Sequence, residues 1–413
     1  MSFDITPKEK DWLRTLAEKQ RAYSELPVMR QRRELWYRHN ALEGVRPMVV
    51  VEEDTFWEDV RPPLACEGEL AREVESRLLR SIFAHEQMDD DKVIPDFYQL
   101  EYQLEFPPFG VKQRRTRAEH GVGYHIEPVI RELEEDFEKL TISPFAFDRE
   151  AFEQKRDAID GALGDILPVR AVNATNYWAF TPMQLVVGLM GMENMFFAMM
   201  DTPEAFLRLM ELVADDRVAL LRYEERNGLL PLNNGNDYLG SGSFCFSREL
   251  PGGEGVGAVL SRHTWSHLNA QEAVGLSPEM FIDLALPCYR RVAGEFGLVY
   301  YGCCEPVSAF WEKGVETIPN LRKVSISPWC DEAYMAPRLA ERGIIYSRKP
   351  SPNFLGVRRE FDETAFRAHI RATESVARGC EREYIFRDVY QLNGNVEKVR
   401  RAVEIVREET GSR

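Results

Sequence analysis

The chain has little cysteine and little histidine for its length: seven of each among 413 residues. Cys66, Cys245, Cys288, Cys303, Cys304, Cys330 and Cys380 are irregularly spaced, and their number is odd. A disulfide framework is therefore not expected, and a special cysteine reads as a metal ligand or a reactive thiolate. No C-x-x-C and no H-E-x-x-H occurs, which removes the common zinc signatures. No G-x-G-x-x-G opens a helix after a strand, which disfavours a dinucleotide-binding Rossmann fold. Basic residues are in deficit, 52 against 68 acidic, for a net charge of −16. Such a surface does not neutralise phosphates, so no nucleic-acid partner is expected. Long apolar runs are also missing. LVVGLMGMENMFFAMM is interrupted by Glu193 and Asn194, so no membrane span is expected. The opening MSFDITPKEKDWLRTLAEKQRA is charged and has no apolar signal core, which points to a cytoplasmic chain.

What is present is ordinary globular composition, 44% hydrophobic and 29% charged. Residues 1–150 read as an N-terminal extension and cap of the same domain. They hold a helical opening (Thr6 to about Tyr37), a short apolar strand (Pro47 to Asp54) and the aromatic run DFYQLEYQLEFPPFGVKQ, a strand pair or extended lid. Phe97, Tyr98, Tyr102, Phe106 and Phe109 in that run could cover an apolar substrate. The charge run QMDDDK reads as a solvated loop, and KQRRTR, near Lys112, as a surface run with no role or a local docking patch for an acidic partner.

Residues 151–413 alternate strand and helix. Helix REAFEQKRDAIDGALGDI leads into strand LPVRAVN, and Thr181-Pro182 starts the next helix. PEAFLRLMELVADDRVALLRYEERNG is amphipathic and closed by Gly228. Strand LLPLNN runs into GNDYLGSGSF, and a helix spans Ser277 to about Gly297. Strands LVYYGC, KVSISP, IIYSRKP and YIFRDVY then alternate with helices PVSAFWEKGVET, DEAYMAPRLAERG, ETAFRAHIRATESVARG and NVEKVRRAVEIVREE. Repeated strand–helix units imply a parallel sheet, and their number fits an α/β (β/α)8 TIM barrel with an N-terminal helical and extended extension. The chemistry of such a barrel lies on loops after the strands.

Tyr300-Tyr301-Gly302-Cys303-Cys304-Glu305-Pro306 ends an apolar strand. Two thiolates and a carboxylate there can bind zinc, and the alternative is a buried structural cysteine. Asp237, beside Asn236 in the Gly-rich loop, is either a site residue or turn chemistry. His263 and His267 stand four apart in SRHTWSHLNAQE, ahead of Gln271 and Glu272. A helix would put both imidazoles on one face as a metal pair; solvent-facing or capping histidines are the commoner outcome. Asp331 reads as a helix cap. Arg348 and Lys349 could hold a carboxylate or phosphate, and Arg387 with Asp388 is a site pair or a structural ion pair.

The order of LMGMENMFFAMMDTPEAFLRLMELVAD, GNDYLGSG, GLSPEMFIDLALPCYRRVAGEFG, VYYGCCEP and GNVEKVRRAVEIVRE resembles the uroporphyrinogen decarboxylase superfamily, from about Leu167 to Glu409. The resemblance implies a (β/α)8 barrel and one of two chemistries. Decarboxylases of the family carry an Arg-rich N-terminal motif, and VMRQRRELWYRH is not that motif. Corrinoid-linked methyltransferases hold zinc with a His-x-Cys pair and a further Cys near the last strand. Here Tyr301-x-Cys303 stands in the first place and Asp388 in the second. That departure leaves Cys303, Cys304, Glu272, His267, Glu305 and Asp388 as the metal candidates. The resemblance implies transfer of a methyl group from a small methylated donor, a methoxylated aromatic first, to the cobalt of a corrinoid on a partner protein. Asp237, Tyr301 and Arg348 would orient the donor or protonate its leaving group, with Asn236, His263, Gln271, Lys349 and Arg387 binding substrate. The family also suggests a homodimer. The competing functions are a metal-free decarboxylase with a basic cleft and a non-enzymatic corrinoid- or tetrapyrrole-binding protein.

Overall fold

The computed structural model describes residues 3–117, 124–173, 180–252 and 257–411. The expected opening helix is two helices, α1 (Pro7–Ser24) and α2 (Pro27–Asn40). Pro27 explains the break, because the residue before a proline is pushed out of the helical region, and Leu26 sits at φ −59°, ψ 141°. Thr6 and Glu9 close the front of α1 as a capping box. Backbone and Thr6 hydrogen bonds, led by the Gly68 N–H, pull the Glu9 carboxyl down to about 2.

The chain continues through β1 (Met48–Val51), α3 (Glu69–Phe83), β2 (Tyr98–Glu101), α4 (Arg149–Leu163) and β3 (Val169–Val172). Then come α5 (Pro182–Asp201), α6 (Pro203–Asn227), a hairpin of β4 (Tyr238–Leu239) and β5 (Ser243–Phe244), β6 (Trp265–Leu268) and α7 (Leu286–Ala293). The last stretch is β7 (Leu298–Tyr301), β8 (Leu321–Ile326), α8 (Glu332–Arg342), β9 (Ile345–Arg348), α9 (Glu363–Ala377), β10 (Arg382–Phe386) and α10 (Glu397–Glu409).

Six strands form one parallel sheet in the order β1–β10–β9–β8–β7–β6. The first strand lies beside the last. A second parallel pair joins β2 to β3. The fold is thus mixed α/β with a six-stranded parallel sheet, and one continuous eight-stranded ladder is not formed among the described residues. Residue 150 does not separate a cap from the sheet, since β1 and β2 each pair with a strand beyond it. The aromatic run is no self-paired hairpin either: β2 joins β3, and Leu104–Glu105 pairs with Ala146–Phe147.

LLPLNN takes no strand pairing. Pro231 has no N–H to give a ladder. Instead the Asn233 amide replaces a strand neighbour of β6: Nδ2 donates to the Trp265 carbonyl at 3.0 Å, and Oδ1 accepts from Trp265 N–H at 2.8 Å. PVSAFWEKGVET forms only two short 3-10 turns, Val307–Phe310 and Val315–Thr317. KQRRTR lies in an antiparallel pair, Arg114–Arg117 with Tyr124–Glu127.

Helix α5 carries an 18-residue window of mean hydropathy 1.3, and by length and composition it could cross a membrane. In the fold 44% of that window is buried, and the helix packs along α6.

The hairpin is pressed into the sheet's inner face. A Cβ on Gly240 would stand 2.5 Å from the His267 ring, and one on Gly242 would stand 2.4 Å from Ile385 Cγ2. Gly242 also has φ +88°. Gly242→Ala therefore meets both a left-handed backbone and a filled space. We expect a loss of roughly 2–4 kcal/mol in urea unfolding. A loss below about 0.5 kcal/mol, the range of neutral surface changes, would mean that the hairpin is not seated there.

Candidate functional site

All six strands of the large sheet run the same way, so their C-terminal ends share one edge. The residues following them are Glu52 after β1, Asn269 after β6, Gly302–Glu305 after β7, Lys349 after β9 and Arg387–Asp388 after β10.

Cys303, Cys304 and Asp388 meet at this edge. The two sulfurs are 3.5 Å apart, and the Cys304 thiol donates to Asp388 Oδ2 at 2.9 Å. The Cys304 hydrogen bond lowers the Cys303 thiol, Arg387 adds to the effect, and burial opposes it. Cys304 moves the other way, raised by its contact with Cys303 and by burial. The two neighbouring thiols are thus pushed in opposite directions. Asp388 holds φ +59°, a backbone setting uncommon outside glycine.

Arg387 lies behind the trio, its guanidinium 3.3 Å from Glu52 and 3.5 Å from Asp388 and donating to Ser241 Oγ at 2.9 Å. Tyr238 in turn hydrogen-bonds Glu52. Lys349 is fully enclosed and donates to the Tyr300 hydroxyl and to Ser347 Oγ at 2.5 and 2.9 Å. Burial pulls its ammonium down to about 7, with Arg387 adding and Glu383 opposing.

The turn after β7 is fixed from two sides. Glu305 accepts from the N–H groups of Cys303 and Ala270 at 2.8 and 2.9 Å, and burial raises its carboxyl. Ser325 Oγ donates to the Cys303 carbonyl at 2.7 Å. Glu272 sits in the 3-10 turn Gln271–Ala273, and burial pushes its carboxyl up to about 7. An acid raised in the fold binds a proton that the unfolded chain has already released. Stability from Glu272 is thus complete below pH 4.5 and is lost as pH climbs toward 7. Glu272→Gln should remove a decline on the order of 3 kcal/mol between pH 5 and pH 8, read by urea unfolding at both values. An unchanged decline would show that Glu272 is ordinarily ionised.

A cavity of ≈ 890 Å³ opens beside the trio, and Arg387, Asp388 and Tyr390 form its near wall. Its far wall is α3 and the segment leading to β2, with Arg77, Arg80 and Lys92. The acids Glu52, Glu53, Asp54, Glu73, Glu101 and Asp388 outnumber the bases Arg77, Arg80, Lys92 and Arg387. Arg80 and Lys92 are already paired to Asp54 and Glu53.

The remaining expected site residues are placed elsewhere. Tyr301 turns outward among Tyr289 and the helices, ring centroids 6.2 Å apart, and its neighbour Tyr300 faces inward. Arg348 also turns outward. It bonds the carbonyls of Ile326, Ser327 and Lys349, donates to Thr373, and pairs with Glu332 at 2.7 Å. Asp237 faces Arg170 on β3, which donates to it at 2.9 and 3.1 Å. Asn236 does reach the cavity wall and donates to the Val93 carbonyl at 2.8 Å. Gln271 is half-buried.

The two histidines form no helical pair, because Trp265–Leu268 is a strand. His263 precedes it and accepts from Leu260 N–H at 3.1 Å, at the end of the sheet away from the cysteines. His267 is buried in mid-strand with Nε2 3.0 Å from the Gly302 carbonyl oxygen. Sequence reading missed Glu52, Tyr238, Tyr300, Arg77 and Arg80. Glu52 alone had a signal, as the first charged residue after the apolar run of β1.

Of the donors expected for zinc, Cys303, Cys304 and Asp388 meet, and His267 and Glu305 do not join them. His267 is engaged at Gly302, and both Glu305 oxygens hold backbone N–H groups. Among the described residues no group of three or more histidine, cysteine, aspartate and glutamate side chains is arranged to hold a metal ion.

No family model matches the chain, and no curated protein matches it. A solved methyltransferase from Methanosarcina mazei is similar over 91% of this chain and 98% of that one, at 11% identity and a TM-score of 0.44. That likeness is too distant to carry an argument about fold or activity.

Proposed function

We propose that the protein is a methyltransferase that takes a methyl group from a small methylated donor, a methoxylated aromatic first, and passes it to a corrinoid on a partner protein. The observation that carries this reading is the meeting of Cys303, Cys304 and Asp388, backed by Arg387, at the C-terminal edge of a parallel sheet and beside a large cavity. The order of sequence motifs described above supports the same chemistry. The two parallel sheets are read here as arcs of one (β/α)8 barrel, because the first strand pairs with the last.

The docked corrinoid would supply the nucleophile, a reduced cobalt. This chain's part is then to seat the donor and to handle the proton on its leaving group. Asp388 and the Cys304 thiol share a proton at the rim and can pass it to a departing oxygen or nitrogen. The roles first given to Tyr301 and Arg348 go to their inward-facing neighbours, Tyr300 and Lys349. Lys349, near 7 and bonded to Tyr300, is a proton store one layer below. No step is routed through zinc, because His267 and Glu305, two of its expected ligands, are held by the Gly302 carbonyl and by backbone N–H groups. Trp329, Val357 and Tyr390 are 73%, 61% and 58% exposed on loops after β8, β9 and β10. Of these only Tyr390 lines the cavity, and an apolar ring left open there suits a protein partner.

The decarboxylase alternative needs a basic cleft for a substrate with many carboxylates. The cavity's excess of acids disfavours it. A side-by-side assay separates the two: carbon dioxide release from a porphyrinogen against methylation of added cob(I)alamin with a panel of methoxylated, N-methyl and S-methyl compounds. Methylation with no carbon dioxide is expected. Carbon dioxide release alone would replace this reading with decarboxylation, and neither product would favour the non-enzymatic binding protein.

A further inference from the structure

Asn269 ends β6 at the same edge as the cysteines and is 1% exposed. Its main chain is fixed: the Tyr289 hydroxyl donates to its carbonyl at 2.7 Å, and the next residue's N–H donates to Glu305. Its side chain is not engaged at all. Among the described residues Asn269 is the buried side chain with both polar atoms unpartnered, Nδ2 and Oδ1 alike.

Side chains alternate along a strand. Trp265 and His267 of β6 face inward, His267 against Tyr300 and Gly240, and Leu268 faces the helices. Asn269 therefore continues the inward row. Leu268 is in register with Tyr301, so Asn269 stands level with Gly302, one residue from Cys303. Other inward polar groups of this layer are taken: Lys349 by Tyr300 and Ser347, Ser325 by the Cys303 carbonyl, Ser327 by the Glu305 carbonyl, and Arg387 by Ser241 and Glu52.

An amide buried without partners costs stability on both its donor and its acceptor, and a native protein keeps such a group where something else completes it. We infer that the Asn269 side chain is a ligand-reading group, and that it takes a neutral carboxamide-type edge, one acceptor beside one donor, on the small molecule bound next to Cys303. A carboxylate fits less well. It would present only acceptors to Oδ1 and would meet the acidic excess of the neighbouring cavity. The inference rests on the proposed function only in taking this ligand to be the methyl donor, which then carries a carboxamide in addition to its methyl-bearing group.

The test uses the full chain with asparagine side chains labelled with nitrogen-15, and acetamide and sodium acetate as probes. Asn269→Leu, close in shape, identifies the Asn269 signal by its loss. The expected result is a saturable shift of that signal with acetamide and none with acetate. Asn269→Asp, which keeps an acceptor and loses the donor, should weaken acetamide binding at least about tenfold. Thermal melting of both variants checks that they fold. An Asn269 signal that ignores acetamide, or answers acetate equally, overturns the inference and leaves a buried water as the amide's partner. Should acetamide bind while no donor methylates cob(I)alamin, the amide site stands and the transfer reading falls. If transfer occurs and Asn269→Leu leaves the donor's KM unchanged, the transfer reading stands and this inference falls.

Discussion

Cys303→Ser is expected to lower methyl transfer by at least about a hundredfold while moving Tm by no more than about 3 °C. The two halves of this expectation have separate causes. The activity falls because contact with the Cys303 sulfur is the first cause that raises Cys304, the thiol that passes its proton to the leaving atom, and a serine hydroxyl does not reproduce that contact. Stability holds because the residue's main chain is anchored without its sulfur, through Ser325 Oγ at its carbonyl and Glu305 at its N–H. Asp388→Asn is the companion variant. Asparagine tolerates the left-handed backbone at this position, so the shape is kept and the charge that receives the Cys304 proton is lost. About a tenfold fall in rate is expected there, with melting unchanged. A Cys303→Ser enzyme that keeps full activity would remove the cysteine pair from the mechanism.

The largest loss of stability is expected at the opposite end of the sheet's interior. Glu383 is fully buried and accepts from Lys323 Nζ at 3.0 Å and from Ser243 Oγ at 2.9 Å, with His39 Nε2 at 3.1 Å. Burial alone would raise this carboxyl, but Lys323 and His39 overcome burial and hold it well below the usual range. Lys323 also lies over the rings of Trp36 and Trp265, at 5.3 and 5.8 Å. Glu383→Ala leaves a cation enclosed with no counter-charge. We expect a cost of about 3–5 kcal/mol in denaturant unfolding. The double variant Lys323→Met, Glu383→Leu removes both charges and should recover most of that loss, because a buried ion pair and a packed apolar pair are close in net energy. If the single variant costs under about 1 kcal/mol, water reaches this network and the interior is not closed.

The sequence resolved the helix ends better than the strand faces. Asp331 caps α8, accepting from Tyr334 N–H at 3.0 Å, and Gly228 and Gly343 close α6 and α8 in the left-handed conformation, because capping chemistry is local. The cysteine pair was legible as a strand-end feature for the same local reason. Which of two neighbours faces inward was not. In LVYY both Tyr300 and Tyr301 are apolar enough for either face, since a parallel sheet covered on both sides shows no polar alternation. Choosing Tyr301 over Tyr300, or Arg348 over Lys349, is a choice of register, and register is set by distant pairing. The same limit hid the spacing of His263 and His267, which reads as one helical turn and instead runs from the end of a 3-10 turn into a strand. The cavity's far wall was hidden for another reason. Arg77 and Arg80 lie on α3, and only the fold brings that helix to the residues after β10.

The most direct test of the central claim is anaerobic single-turnover transfer. Wild-type protein and Cys303→Ser are each mixed with cob(I)alamin and a methyl donor from the panel, and conversion to methylcobalamin is followed by absorbance. The account predicts conversion by the wild type with at least one donor, and loss of that conversion in the variant. No conversion by the wild type with any donor, or equal conversion by both proteins, would contradict it.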